Sequence, residues 1–559
     1  MTAQRSVRLT TAQALVRFLA VQYAERDGRR HRLIAATWGI FGHGNVAGIG
    51  QALLESGPEA MPFLQGRNEQ AMVHAAVGYA RQRGRLSAHA VTTSIGPGAT
   101  NLVTGAALAT INRIPVLLLP GDTFATRPAD PVLQQLEVPW AGDVSVNDTL
   151  RPVSRYFDRI TRPEALVPAA LQAMRVLTDP VQTGAVTLAL PQDVQAEAYD
   201  WPEEFFAERV WRVRRPRPGT DELRAAAEAV RAARRPLLVV GGGIRHSGAE
   251  DALRAFADAT GIPVAATQAG KGALRHDHPA EVGAVGHTGT ATADDLARAA
   301  DLVIAAGTRL TDFTTASSTL FQDPGVRFLG LNLDPYDAHK QAALPLVADA
   351  REGLDALRAE LAGHRVDPAY ERTYRKAKLY WEALVDQAFH APDEDAVPTQ
   401  AQVLGALDAR RRRHRRDRQR GRLAPRRPAP ALAGPLRVPV PRGVRLLLHG
   451  LRDPRRPRRG PRRPGAAGVG ARRRRLVPDE PHRDRHRRPG GRPPQGGDPR
   501  QPRLRLHRRP LRGGRRRGLR HGLPLPGARR RVHRGPPSGG PRGQRGLPRD
   551  GRDPHPHHR

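Results

Sequence analysis

Three short stretches near the start of the chain place polar residues beside tight, glycine-rich turns. WGIFGHGNVAGIGQALLE (38–55) reads as a strand end, a turn containing Gly42 and His43, and a helix start. The glycines let backbone approach a ligand, and a helix N-terminus offers free N–H groups. In FLQGRNEQAMVHAAVGYARQRG (63–84), Glu69 opens a helix of small residues. A carboxylate there either caps the helix from N3 or faces a ligand. TTSIGPGATNLVTGAALATINRIPVLLLPGD (92–122) sets Gly96, Pro97 and Gly98 in a turn before a second small-residue helix, which tight packing alone could also require. A fourth glycine run, VVGGGIRHSG (239–248), lacks the GxGxxG spacing of a dinucleotide turn and is read as structural.

The elements that carry these turns alternate. Helical segments and β-branched runs such as HAVTTSI, IPVLLLPGD and TGAVTLALPQDV predict an α/β domain with a parallel sheet over 1–195. A polar, proline-containing linker is expected at 196–215, a central Rossmann-like domain at 216–350, and a linker helix with the start of a third domain at 351–409.

At Arg410 the composition changes. Residues 410–559 hold 49 Arg, no Lys and 8 acidic residues, a net charge of +41, which leaves −4 on residues 1–409 out of the chain's +37. Beyond Arg410 there is no Ile, Phe, Tyr, Trp, Met, Thr or Asn, so this Arg/Pro/Gly-rich tail is expected to be disordered. The chain has no cysteine, which excludes disulfides and thiolate chemistry. Its first residues have apolar positions at helical spacing broken by Arg and Gln, unlike a signal peptide, and no apolar run could span a bilayer. A soluble, cytoplasmic protein is expected, with no membrane partner.

In this order, the three stretches resemble the N-terminal pyrimidine domain of thiamine-diphosphate-dependent enzymes of the acetolactate synthase type. The resemblance spans residues 1 to about 409. GIFGHGN, GRNEQAMVHAA and TGAALATINRIPVLLLPGDTFATR are most similar to the branch that opens a cyclic dione ring in myo-inositol breakdown. It implies thiamine diphosphate and Mg2+ as cofactors, with Glu69 bonded to N1' of the aminopyrimidine. His43 becomes the candidate proton donor or substrate contact, and Gly42, Gly96, Pro97 and Gly98 become cofactor-binding positions. It also implies a homodimer or homotetramer with the site between subunits. An acetolactate synthase-like carboligase is the alternative within the family.

The family's Gly-Asp-Gly and later Asn, which hold Mg2+ and diphosphate, are missing from residues 410–559, so no metal ligand is assigned. Read one base later, the codons for 464–490 permit PERPVWALVGDGSYLMNPTEIVTAVQE, and those for 498–525 permit ILDNHGYASIGGLSEAVGGEGFGTAYRF. A frameshift near residue 410 is therefore expected, leaving the chain as written with little or no activity. The rival reading, nonspecific binding of nucleic acid by the tail, would show steep salt dependence. The absence of Lys among so many Arg speaks for out-of-frame GC-rich codons instead.

Overall fold

Val116–Asp122 and Ala185–Pro191 are buried along their whole length, as are Pro236–Val240 and Leu302–Ala306. Strands with no exposed face belong inside parallel sheets covered by helices on both sides. The structure, a computed structural model, describes residues 5–126, 133–134, 138, 140–390 and 397–421, with side chains as far as Arg410. It contains two such sheets, as the α/β expectation requires.

The first comprises β1 (Ile34–Gly39), β2 (Phe63–Gln65), β3 (Ala88–Thr93), β4 (Val116–Asp122), β5 (Tyr156–Arg159) and β6 (Ala185–Pro191). Their order is β2-β1-β3-β4-β6-β5, with every neighbour parallel. The second comprises β7 (Pro236–Val240), β8 (Val264–Ala266), β9 (Glu281–Ala284), β10 (Leu302–Ala306), β11 (Arg327–Asn332) and β12 (Leu344–Val347). It runs β9-β8-β7-β10-β11-β12, again all parallel.

The two-residue period of a strand divides each core in two. Leu117 and Leu119 of β4 pack with Leu15, Phe18 and Leu19 of the first helix in the chain, Thr11–Ala20. Val116 and Leu118 face α1 (Glu69–Gln82) and α2 (Val103–Ile111), meeting Met72, Val73, Ala106 and Ala109. The small residues of these helices let them approach closely, since a Cβ on Gly105 would lie 2.6 Å from that of Val73. In the second sheet Leu238 and Val240 face one core while Leu237 and Val239 face the other.

Three boundaries differ from the sequence reading. The expected linker contains two strands: Ala198–Pro202 pairs antiparallel with Ser6–Thr10, and Arg209–Arg212 pairs parallel with Gln22–Arg26. Trp201, fully buried, donates to the Leu9 carbonyl at 2.9 Å, so apolar anchoring outweighs the polar composition around it. The central unit continues past Ala350, because Leu354 and Leu357 of the helix Ala350–Glu360 complete its core. Tyr374 of α3 (Pro368–Phe389) is also buried there, donating to the Gly261 carbonyl at 2.8 Å. Finally, the helix Gln400–Gly421 runs through Arg410, where the pattern was expected to stop; arginine is a good helix former. Residues 422–559, with the expected disordered tail and the missing Gly-Asp-Gly positions, lie outside the described residues. No helix among the described residues is long and apolar enough to cross a membrane.

Candidate active site

The three glycine-rich stretches converge at the carboxyl ends of β1, β2 and β3. After β1 the chain turns through Gly42, His43 and Gly44, and buried Asn45 fixes the turn. Its Oδ1 accepts from the Gly42 N–H at 3.0 Å, while its Nδ2 donates to the Ile40 carbonyl and Thr92 Oγ1, each at 3.2 Å. Gly44 has φ +91° and lies against Ile95, where a side chain would be both strained and obstructed. Gln195 secures the far side by donating to the Gly44 carbonyl and accepting from the Ile49 N–H at 3.1 Å. The helix expected after this turn opens as a π-helical turn, Val46–Gly50, before regular helix begins at Gln51.

The His43 carbonyl accepts from the Ile95 N–H at 2.9 Å, tying the first turn to the third. Its side chain is exposed and makes no hydrogen bond among the described residues. A Cβ on Gly42 would lie 3.0 Å from that of Ser94, so these two turns touch.

Glu69 is the first residue of α1, not N3. Asn68 is the cap, its Oδ1 accepting from the Ala71 N–H at 2.9 Å. The Glu69 carboxylate is thus released from capping and turns towards the third stretch. There Asn101 Nδ2 donates to Oε2 at 2.8 Å, while Oε1 accepts no hydrogen bond among the described residues. Gly98 stands beside it, since a Cβ at that position would lie 2.6 Å from Ser94 Oγ and 3.5 Å from Glu69 Oε1. Gly96 takes φ +67° ahead of the short helix Pro97–Thr100, where Pro97 is exposed. The Thr93 hydroxyl, whose Cβ would lie 3.4 Å from a Gly98 Cβ, is buried without a partner.

The structure therefore brings Glu69, Gly98 and the Gly42 turn together around Ser94, leaving His43 and Pro97 at the exposed rim. Sequence reasoning missed Thr93, Ser94, Asn101, Asn45 and Gln195. Asn101 carried a weak signal as the polar residue in an otherwise small-residue stretch; Gln195 carried none, because its partner turn lies about 150 residues earlier.

Comparison with known proteins bears directly on this cleft. Residues 38–137 match the model "Thiamine pyrophosphate enzyme, N-terminal TPP binding domain", and residues 223–357 match "Thiamine pyrophosphate enzyme, central domain". The chain carries these two domains of a thiamine pyrophosphate enzyme. It is 50% identical over 404 residues to the 3D-(3,5/4)-trihydroxycyclohexane-1,2-dione hydrolase of Geobacillus thermodenitrificans, covering 72% of this chain and 62% of that protein. The protein of the same name from Clostridium tetani is 48% identical over 405 residues, with the same coverage. That of Bacillus cereus is 50% identical over 378 residues, covering 68% and 58%. The chain spans about three fifths of the length of these curated relatives.

The residues present suit the pyrimidine end of the cofactor. Glu69 Oε1 is an unengaged acceptor, the Thr93 hydroxyl is buried without a partner, and the glycine at 98 keeps clear the space that a Cβ would fill. Among the described residues no group of three or more His, Asp or Glu could hold a metal ion.

Proposed function

We propose that this chain belongs to a thiamine-diphosphate-dependent hydrolase that opens the ring of 3D-(3,5/4)-trihydroxycyclohexane-1,2-dione, acting in the cytoplasm as a homodimer or homotetramer. The observation that carries the reading is Glu69, pinned by Asn101 through one oxygen and presenting the other beside Gly98, in a chain 50% identical over 404 residues to a hydrolase of that name.

Thiamine diphosphate, when bound, supplies a carbon nucleophile and an electron sink for carbon–carbon cleavage. Glu69 holds a proton at Oε1 for a ring nitrogen of the aminopyrimidine. Asn101 keeps the carboxylate from rotating away. Thr93, whose buried hydroxyl lies beside Gly98 without a partner, would offer it to the same ring. At the open rim, His43 donates a proton to the substrate oxygen. Residues 410–559 are, in this reading, the out-of-frame translation of the domain that binds diphosphate and Mg2+. Support comes from the 155 residues left outside the 404-residue match, nearly the length of that tail.

Resequencing the DNA around the codons for residues 400–420 tests the frame: an extra base is expected, and a clean read of the present frame overturns that part. The chain with the base removed is then assayed with Mg2+ and thiamine diphosphate. Ring opening of the cyclic dione is expected; condensation of pyruvate in its place would make the protein a carboligase. Glu69→Gln in the restored chain is expected to slow hydrogen exchange at C2 of the bound cofactor by about 100-fold or more. Unchanged exchange removes Glu69 from its role.

A further inference from the structure

Gln195 lies in the short helix Gln192–Ala196 that follows β6 and is only 2% exposed. Its hydrogen bonds among the described residues are all to backbone. Nε2 donates to the carbonyls of Gly44 and Leu190, the latter at 2.7 Å, and Oε1 accepts from the Ile49 N–H at 3.1 Å. Leu190 belongs to β6 and Gly44 follows β1, and β3 and β4 stand between these two strands in the sheet. One buried amide therefore spans the carboxyl edge of the sheet. An amide suits the place because it offers donors and an acceptor together without a charge.

The same amide accounts for the π-helical turn Val46–Gly50. In a regular helix the Ile49 N–H would donate to the carbonyl four residues back, that of Asn45. Gln195 takes that N–H instead. The Asn45 carbonyl then accepts from the Gly50 N–H at 2.9 Å, and the Gln51 N–H likewise reaches five residues back to Val46. Single π-helical turns are rare and recur at functional sites. Glycines make room for the arrangement: a Cβ on Gly48 would meet the Gln195 side chain, 2.6 Å from its Cβ, and one on Gly121 would lie 2.7 Å from the Gly44 carbonyl oxygen. Gly121 is held in turn by Asn147 Nδ2, which donates to its carbonyl at 2.9 Å.

His43 is caught between these anchors. Its own carbonyl accepts from the Ile95 N–H, and the next carbonyl, that of Gly44, accepts from Gln195. Two successive peptide units after His43 are thus fixed, while the imidazole is exposed and has no hydrogen bond among the described residues. Backbone, and not side-chain contact, sets the direction in which the imidazole leaves the turn.

We propose that Gln195 is a positioning residue for His43. By drawing off the Ile49 N–H and holding the Gly44 carbonyl, it sets the π register of Val46–Gly50 and with it the place of the imidazole at the rim of the Glu69 cleft. The consequence for turnover rests on the reading of His43 as the proton donor to substrate; the consequence for the turn does not.

Hydrogen–deuterium exchange of the full chain reads the turn. Gln195→Met, similar in volume but without the amide, should speed exchange of the peptide covering 46–51 by about tenfold, while peptides from β3 and β4 keep their protection. Gln195→Glu, which retains an acceptor for Ile49, should lose less. Should Gln195→Met not fold, Gly48→Ala, which presses a methyl group into the same amide, is measured in its place with the same expectation. In the chain with its reading frame restored, Gln195→Met should lower kcat about tenfold with KM unchanged, and the loss should vanish when His43 is already alanine. Unchanged exchange over 46–51 overturns the proposal, as does a loss of the same size in the His43→Ala background. Full turnover in His43→Ala alone would instead sink the proton-donor reading, and exchange over 46–51 would still decide whether Gln195 sets the turn.

Discussion

At the carboxyl ends of β1, β2 and β3 the chain gathers one carboxylate, buried hydroxyl and amide groups, and glycine backbone. At the corresponding ends of β7, β10 and β11 it gathers guanidinium groups. Both sheets are six-stranded and wholly parallel, so strand architecture does not decide what each end binds. Residues just past the strands decide it at the first sheet; at the second only Arg245 and Arg309 follow strands, and the other arginines are supplied by residues 26–214. A histidine in each unit reports the contrast. His89, on β3, is held down to about 4 by burial alone; its Nδ1 accepts from Trp38 Nε1 at 3.0 Å and its ring stacks on Tyr79. His246 is lowered further, by burial and by four arginines.

The largest expected effect lies beneath the first sheet's end. Asp122 is fully buried and accepts from Arg159 Nε at 2.8 Å, while Arg159 also reaches Asp148 at 2.8 Å. Asp122→Ala should lower unfolding free energy by about 3 kcal/mol in urea titrations. A loss below about 1 kcal/mol would mean that Asp148 alone suffices.

Acid should act on both units. For each histidine the folded value lies below the ordinary 6.5, so the unfolded chain takes up the proton first as pH falls. Stability is therefore present above about pH 6.5 and is lost as pH falls towards 4 for His89 and 3 for His246. About 2 kcal/mol from each is expected after allowing for solvent screening. Ring-proton NMR titrations separate the causes: 1 M salt should raise the value for His246 and leave that for His89 in place. Equal movement would remove the arginines as the cause.

Gly98→Ala would push Ser94 aside and crowd Glu69 Oε1. The fold should tolerate it, because a hydroxyl can rotate, while thiamine detected by saturation-transfer NMR binds about tenfold more weakly. Equal binding would place the pyrimidine elsewhere. The smallest effect is expected at Thr93→Val. Its hydroxyl is buried and unpartnered, so removal should change stability by less than about 1 kcal/mol, or raise it, while thiamine binding falls. A clear loss of stability would give the hydroxyl a structural role instead.

Much of the fold was legible because buried parallel strands write continuous apolar runs, as in IPVLLLPGD and PLLVV. The linker was misread because its anchors, Trp201 and Phe205, pack against the first helix about 190 residues earlier, and local composition does not register such pairing. At the candidate site, Glu69 and Gly98 were visible as a lone carboxylate and a special turn. Asn101, Ser94 and Thr93 look like ordinary members of a small-residue stretch until folding sets them beside the carboxylate. The guanidinium cluster at the second sheet's end was hidden more deeply: its arginines come from separate segments and do not stand out in a body whose net charge is slightly negative.

The brace formed by α3 has a consequence in time. Tyr370 donates to the Pro236 carbonyl at 3.2 Å and Tyr374 to that of Gly261, so the last clasp on the second core is made by residue 374. At about 5–20 residues per second, a ribosome needs about 8–30 s to add the 150 residues after position 409. Domains generally fold as units, the N-terminal one first, while the chain is being made. Both sheets will therefore be closed before most of the arginine-rich segment exists, and the reading frame of the last quarter reaches the molecule too late to change how its first three quarters fold.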